Sequence, residues 1–581
     1  MSRRSNYDKF PYIPVGSEDD CSVGWSAVAA RIIEPLREHR VLAIECYPGT
    51  NVAEIHRALQ NHLPDATVFL AEECLKSPAK LETLLRPLLG TDRVFGRMSD
   101  LRLENYFDHE ELSAKRDAIE EAMLRNPVIV VGTGAAFLVS ETTPIVYADL
   151  ARWEIQLRWR RNEIGNLGLA NTEEEFSAKY KCGYFVEWRA ADAHKRTLLP
   201  TLNFLLDLNK PLEPKLITGE AFRKALKTIA HQPFRVVPYF DPGPWGGHWM
   251  EEVCDLPCDV PNHAWCFDCV PEENSLLLGF GKYRVQIPAI DLVFSEPEAL
   301  LGRAIMDRFG AEFPIRFDLL DTMGGGNLSL QVHPLTEYIQ KKYGMAYTQD
   351  ESYYLLDAGS DACVYLGLKE HISQSEMAQE LREAEQGRIQ FDAEKYVNRW
   401  EARKHDHFLI PAGTIHCSGA NSMVLEISAT PYIFTFKLWD WGRLGLDGKP
   451  RPIHIEDGLK NIQWDRTTEW VRKELINRTE LIEEGNGWRE EKTGLHESEF
   501  IETRRHIFSD TVLHMPNGTV NVLNLVEGDE VIVESPTKAF DPFIVHYAET
   551  FIIPAVVSEY SVRPRGASSG MQCITVKAFV R

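Results

Sequence analysis

Between residues 41 and about 230 the apolar residues come in short solid runs, separated by stretches of helical period. Residues 41–44 are one such run, the pattern of a strand buried on both faces. The turn Tyr47-Pro48-Gly49-Thr50 follows, then a helix over 52–62. Residues 66–70 repeat the strand pattern, and a charged helix covers 109–125. Residues 127–131 form an apolar strand ending in Gly132-Thr133-Gly134. Residues 145–148 form another, and a helix carrying Trp153, Leu157 and Trp159 comes next. This alternation predicts an α/β domain with a parallel sheet covered on both faces. Residues 151–230 read as largely helical, and the Leu/Phe periodicity of 198–208 reads as core. Near 231–234 Pro and β-formers begin, and from Phe234 the period becomes two. Strands are expected at 263–270, 275–279, 284–286, 315–321, 328–332, 352–357, 362–367, 408–410 and 423–428. Helices are expected at 297–309, 374–403 and 458–482, and the tail from 503 to 581 is again β. Short strands with turn signals predict a mainly-β sandwich or small barrel. Three domains follow: 1–232 (α/β), 233–502 (β, with a helical insertion at about 374–403) and 503–581 (β).

With 581 residues, 44% hydrophobic and 26% charged, the chain has an ordinary globular balance and room for several cores. Its formal net charge of −23 argues against nucleic acid and anionic membranes as partners, and leaves any phosphate ligand dependent on local Lys or Arg. No apolar run is long enough to predict a transmembrane helix. The N-terminus is basic without an apolar segment behind it, unlike a signal peptide. Eleven scattered cysteines suit a reducing cytoplasm. Cys254-x3-Cys258 and Cys266-x2-Cys269 invite comparison with a zinc site. The two pairs are close together, with Trp265, Phe267 and Val270 around the second, and they read as free buried thiols.

Candidate chemistry sits in L-S-L-Q-V-H-P (328–334), where Gln331 and His333 are two apart and so share one face of a strand. Glu351 precedes the strand-like run 352–356. Pro411-Ala412-Gly413 makes a tight turn that presents His416 at the next strand. Two imidazoles, a carboxylate and an amide oxygen are donors that a divalent metal of the Zn, Mn or Fe type accepts, with positions left for water or substrate. Each of these residues is also, singly, an ordinary hydrogen-bonding side chain; the set carries the expectation.

The text around them is Q-V-H-P, E-x-Y-Y-L-L-D-A (351–358), V-Y-L-G-L-K (364–369), I-P-A-G-T-I-H (410–416) and W-D-W-G-R-L-G-L-D-G-K-P-R-P-I-H-I-E (439–456). It resembles type I mannose-6-phosphate isomerase over roughly residues 235–581. The resemblance implies a zinc-dependent double cupin (jelly roll) that interconverts aldose and ketose, on mannose 6-phosphate and fructose 6-phosphate or a related sugar. It implies Gln331, His333, Glu351 and His416 as metal ligands, Glu426 as an active-site glutamate and His454 as a further matched position. Ser329 is kept and suits a bond to a hydroxyl or phosphate. The helical segment 374–403 corresponds to the family's insertion between Glu351 and His416. The tail matches a second cupin that is metal-free, with I-P-A (553–555) but no His.

Departures from the family pattern are specific. The resemblance leads one to expect Lys two residues before Glu351, where Gln349 stands. It leads one to expect Arg in the segment T-F-K-L-W-D-W (435–441), where Lys437 takes the catalytic position, and Lys where Asp318 stands. The approach from Glu426 is one residue longer, with A-T-P-Y-I-F at 429–434. These changes predict a weak phosphate grip, with Arg316 and Lys369 as replacement cations. Residues 1–232 are weakly similar to P-loop kinases of the uridine kinase type, on E-C-Y-P-G-T-N-V-A (45–53), Tyr106-Phe107-Asp108 and R-W-R-R (158–161). G-x-x-x-x-G-K-[ST] is missing, so a degenerate domain without ATP hydrolysis is expected, and Arg160-Arg161 reads as a solvated helix face. The expected partner is a small-molecule sugar or sugar phosphate in the cytoplasm, and a homo-oligomer is compatible with the sequence. The alternative is a non-catalytic or regulatory sugar-binding cupin fused to an inactive kinase-like domain.

Overall fold

The computed structural model describes residues 5–429, 432 and 434–581. Met1–Arg4 of the basic N-terminus and Thr430, Pro431 and Ile433 of the lengthened run lie outside the described residues. The chain groups into two compact units. One joins Tyr12–Ile229 to Ser275–Glu296. The other joins the residues through Pro11 to Ala230–Asn274 and Pro297–Arg581.

The first unit is built on a seven-stranded sheet. Five strands run parallel, in the spatial order Thr67–Leu70, Val128–Gly132, Val41–Cys46, Ile145–Asp149 and Phe204–Asp207. Lys215–Thr218 and Cys21–Val23 extend it antiparallel. Every residue of Val41–Cys46 and Val128–Gly132 is buried, as solid apolar runs require. On one face Leu42, Ile44, Ile129 and Val131 pack against Val28, Ile32 and Leu36 of helix Trp25–His39 and Ile55 and Leu59 of helix Val52–His62. The strands at 275–280 and 283–288, expected in the second domain, belong here: Ser275–Phe280 pairs with Tyr12–Gly16 and with Tyr283–Pro288 in a three-stranded sheet. A period-two signal specifies a strand and leaves its partner open.

Glu187 shows what burial does inside this unit. It is 2% exposed and accepts a hydrogen bond from the Leu167 amide at 2.7 Å. Burial raises its pKa to about 7, the hydrogen bond only partly opposing it. A carboxyl with a raised folded pKa holds its proton longer in the folded chain. Its stability contribution is therefore lost as pH climbs from about 4.5 to about 7, at a cost of about 3 kcal/mol. Glu187→Gln keeps an acceptor for Leu167 and should flatten that slope, raising the urea midpoint above pH 7 while leaving it unchanged near pH 4. An equal change at both pH values would count against the buried-carboxyl account.

The second unit consists of two successive pairs of antiparallel sheets. In the first pair, a six-stranded sheet runs His407–Ile410, Glu351–Ala358, Ser422–Ser428, Arg316–Asp321, Trp265–Cys269, Tyr239–Asp241. A five-stranded sheet runs Val397–Glu401, Cys363–Leu368, His416–Ser418, Leu330–Val332, Phe436–Trp439. The second pair, within 480–580, has six and four strands around a core that includes Phe508, Leu523, Val533, Phe551 and Tyr560.

Three expected helices are shorter than their patterns. The one at 374–403 ends at Glu385, with Gly387 at φ 71° beyond it; after a short turn of helix, Val397–Glu401 is a strand whose Trp400 indole donates to Leu366 O at 3.0 Å. The one at 297–309 is two helices, Pro297–Leu301 and Arg303–Phe309, broken at Gly302 with φ 92°, where a Cβ would strike Gly518 O at 2.0 Å. The one at 458–482 becomes Ile455–Asn461 and Thr468–Glu474, and Glu480–Gly485 is an exposed edge strand. All eleven cysteines are free; Cys254, Cys266 and Cys269 are buried and Cys258 is exposed. No helix among the described residues is long and apolar enough to cross a membrane.

Candidate active site

Both sheets of the first pair contribute to one buried cluster. Gln331 lies on strand Leu330–Val332, with His416 opposite it on one neighbouring strand and Lys437 on the other. His333 follows two residues on and shares that face. Glu351 is the first residue of its strand on the facing sheet. His416 Nε2 lies 2.9 Å from one Glu351 oxygen, His333 Nε2 lies 3.1 Å from the other, and the ligand-capable atoms of the three fall within 4.8 Å of one another. All four side chains are buried, Glu351 and His416 completely.

The backbone fixes how the imidazoles face. His333 Nδ1 is 3.0 Å from Phe434 O and His416 Nδ1 is 2.9 Å from Thr414 O. A carbonyl can only accept, so each Nδ1 carries the proton and each Nε2 lone pair points into the cluster. The turn that presents His416 is clamped by Arg466, which donates to Pro411 O and Ala412 O, both at 2.8 Å. Gly413 in that turn has φ 87° and leaves no room for a Cβ, which would stand 2.7 Å from the Gln463 side chain.

These residues fit a divalent metal. A tetrahedral site with bonds near 2.1 Å places its ligand atoms about 3.4 Å apart, close to the spacings here. His333 Nε2 and Glu351 Oε1 are buried without a hydrogen-bond partner, as atoms awaiting an ion would be. The Gln331 amide stands 3.2 Å from His416 Nε2, and a flip of that amide turns its oxygen inward. Burial alone pulls the His333 pKa down, but Glu351 more than offsets it. Burial pushes Glu351 up, and the two imidazoles reverse this, holding it well below the usual carboxylate range.

Beside the donors, the six-stranded sheet carries a polar stripe. Glu426 pairs with Tyr353 on one side and Asp318 on the other. Gln349 Nε2 donates to Glu351 at 2.8 Å and to Glu426 at 3.2 Å, and its oxygen accepts from the Phe434 amide. The position expected to carry a phosphate-binding Lys thus orients two carboxylates instead. Burial, then Asp318 and Glu351, raise Glu426 well above the usual range. Asp318 is locked to Arg316 through bonds of 3.0 and 3.3 Å. Arg316 is thereby committed to Asp318 and stacked 5.3 Å over Phe267, and Lys369 donates to Glu394 O.

Lys437 lies partly open to solvent, yet burial and repulsion from Arg451 bring its pKa down to about 7. Ser329 donates to Asp440 at 2.9 Å. His454 does not join the cluster. Its ring packs on Phe436, 6.0 Å between centroids, and Phe436 adjoins Lys437 in the strand and so faces the other way. Helix Ile455–Asn461, which His454 precedes, covers that outer face, with Gly458 against Leu438 and Val332. Sequence reasoning missed Arg466, Tyr353 and the pairing of Asp440 with Arg443 and Arg451. The last three stand in the quoted motif 439–456, whose wording shows no contact between them.

A family model described as a domain of unknown function (DUF8485) matches residues 24–231. The probable mannose-6-phosphate isomerase GmuF of Bacillus subtilis (strain 168) is 30% identical over 235 residues, 40% of this chain and 68% of that protein. The mannose-6-phosphate isomerase of Streptococcus mutans is 24% identical over 244 residues, 41% of this chain and 71% of that protein. A solved mannose 6-phosphate isomerase from Bacillus subtilis superimposes with a TM-score of 0.49 at 17% identity, covering 60% of this chain and 99% of that one.

Proposed function

Since the chain belongs to the mannose-6-phosphate isomerase family, we propose that it is a metal-dependent aldose–ketose isomerase acting on mannose 6-phosphate and fructose 6-phosphate or a related sugar phosphate. The observation that carries this reading is the convergence of His333, Glu351 and His416 in one buried group with Gln331 beside it. Gln331, His333, Glu351 and His416 would hold the ion, with zinc as our choice of metal. When bound it supplies a Lewis acid for the sugar's carbonyl and hydroxyl oxygens. The chain's own residues do the rest. Glu426, held by Gln349 and with its pKa raised well above the usual carboxylate range by burial, is placed to take a proton from one sugar carbon and return it to the next. Lys437, near neutral pKa, can move hydroxyl protons. A coupled assay on mannose 6-phosphate and on free mannose, with chelated and with Zn- or Mn-reloaded protein, tests the reading. Metal-dependent turnover of the phosphorylated sugar is expected. Sugar binding without turnover under every metal would favour the regulatory cupin that the substitutions at Gln349 and Asp318 allow.

For the α/β unit we propose a non-catalytic role. Where its strands end, the buried groups include Glu45, which accepts from the Gly134 and Ala136 amides at 2.7 Å each, and Asp149, which with Asp291 shares the single cation of Lys195. Arg158 is spent on Gly49 O and Leu208 O, and Arg160 stacks on Trp153 and Phe176. Buried carboxylates in place of a phosphate-binding Lys repel a polyphosphate. Calorimetry of the full chain with Mg-ATP should show no binding in the micromolar range; a micromolar Kd would overturn this role.

A further inference from the structure

His333, Glu351 and His416 come from three separate stretches of chain, and one short turn, residues 411–414, touches the backbone or the neighbour of each. Its Gly413 amide donates to His333 O at 3.0 Å. Its Ala412 amide donates at 2.7 Å to the side chain of Asp350, the residue before Glu351. Its Thr414 carbonyl accepts from His416 Nδ1 at 2.9 Å. The spacing of the three donors therefore depends on where this turn stands.

A turn leaves carbonyls pointing outward, and a donor that meets several of them fixes its shape. Arg466 is that donor. A single guanidinium nitrogen, Nη1, bonds to Pro411 O and to Ala412 O at 2.8 Å each and reaches the Thr414 hydroxyl as well. Arg466 is itself anchored. Its carbonyl accepts from the Leu368 amide at 3.0 Å, at the end of the strand that pairs with His416–Ser418. Its guanidinium lies over the Trp470 ring, 5.4 Å from the centroid. Three residues earlier, the Gln463 amide donates to Gly413 O at 2.9 Å, so the segment that carries Arg466 runs along the turn. Groups that orient metal ligands from behind tune the affinity of a site nearly as strongly as the ligands do.

We propose that Arg466 is a positioning residue of the metal centre: by fixing the turn 411–414 it keeps His333, Glu351 and His416 at their mutual spacing and so sets the affinity for the divalent ion. The proposal rests on the metal assignment above, and its test needs no turnover. Arg466→Lys and Arg466→Gln are compared with the wild type as full chains. Zinc affinity is measured by competition with a chelator. The visible absorption of the cobalt-substituted protein is recorded, and so is the urea midpoint of the metal-free protein.

An ammonium is one point charge and does not reproduce the guanidinium's set of bonds. Arg466→Lys should weaken zinc binding about tenfold and Arg466→Gln about a hundredfold. The cobalt bands, whose intensity follows the coordination geometry, should change in the same order. If Arg466→Gln does not fold, Arg466→Lys carries the test. A lower urea midpoint with unchanged zinc affinity and unchanged cobalt bands is the mark of a merely structural arginine; it overturns the proposal and leaves the ligand set standing. A wild type that binds no divalent ion overturns both. Zinc binding that depends on Arg466 in a chain that isomerises no sugar phosphate supports the positioning role and sinks the isomerase reading instead.

Discussion

His416→Ala is expected to lower the metal content from about one divalent ion per chain to below about a tenth, and to cut isomerase turnover about 10³-fold or more. The reason lies in the geometry. His416 Nε2 stands 2.9 Å from Glu351 and its other nitrogen is held by Thr414 O, so removing the ring takes away one of the two imidazole donors of the cluster. His333→Ala should behave alike, because its Nε2 faces the other oxygen of the same carboxylate at 3.1 Å. His454→Ala is the contrast: its ring packs against Phe436 on the outer face, and it should keep both metal and most activity. Elemental analysis of the purified variants decides the matter. Unchanged metal in both His333→Ala and His416→Ala would falsify the ligand assignment.

Glu426→Gln should leave the metal in place and lower kcat by about 10²–10⁴-fold, the range for loss of a general acid–base. The amide preserves shape and can still meet Gln349, but it cannot carry a proton between carbons. Its effect on folding should be small or favourable. Glu426 lies in a buried stripe with Asp318 and Glu351, and removing one ionisable carboxyl relieves like-charge crowding. Turnover within about threefold of wild type, at full metal content, would move the base elsewhere. Tyr353, paired with Glu426 in the sheet and buried beside it, would then be the group to test.

The strand alternation legible in the chain goes far toward this site. Period two places Gln331 and His333 on one face, and it places Glu351 with Tyr353 on another, before any tertiary contact is known. The solid apolar runs at 41–44 and 127–131 likewise announce the central strands Val41–Cys46 and Val128–Gly132. Helix lengths were less legible, because the charged pattern of 374–403 runs on past Gly387 into a segment where Trp400 completes a sheet instead. Cation counting also fell short. Asp318 and Gln349 stand as losses in the sequence, whereas in the fold each has a local partner, Arg316 for one and the carboxylates of Glu351 and Glu426 for the other.

By itself the amino-acid order determined the central strands of both units, which side chains share a strand face, and the donor types available for a metal. Those properties follow from local stereochemistry and spacing. Only the tertiary structure decided that the Glu351 sheet faces the Gln331 sheet, that Phe434 O and Thr414 O orient the two imidazoles, that Ser275–Glu296 joins the α/β unit, and that Ser329 meets Asp440 and Arg451. Apart from the short His416–Thr414 bond, these contacts join positions far apart along the chain. No local period encodes such a pairing; it is selected by the burial of whole sheet faces and by the need of each buried polar group for a partner.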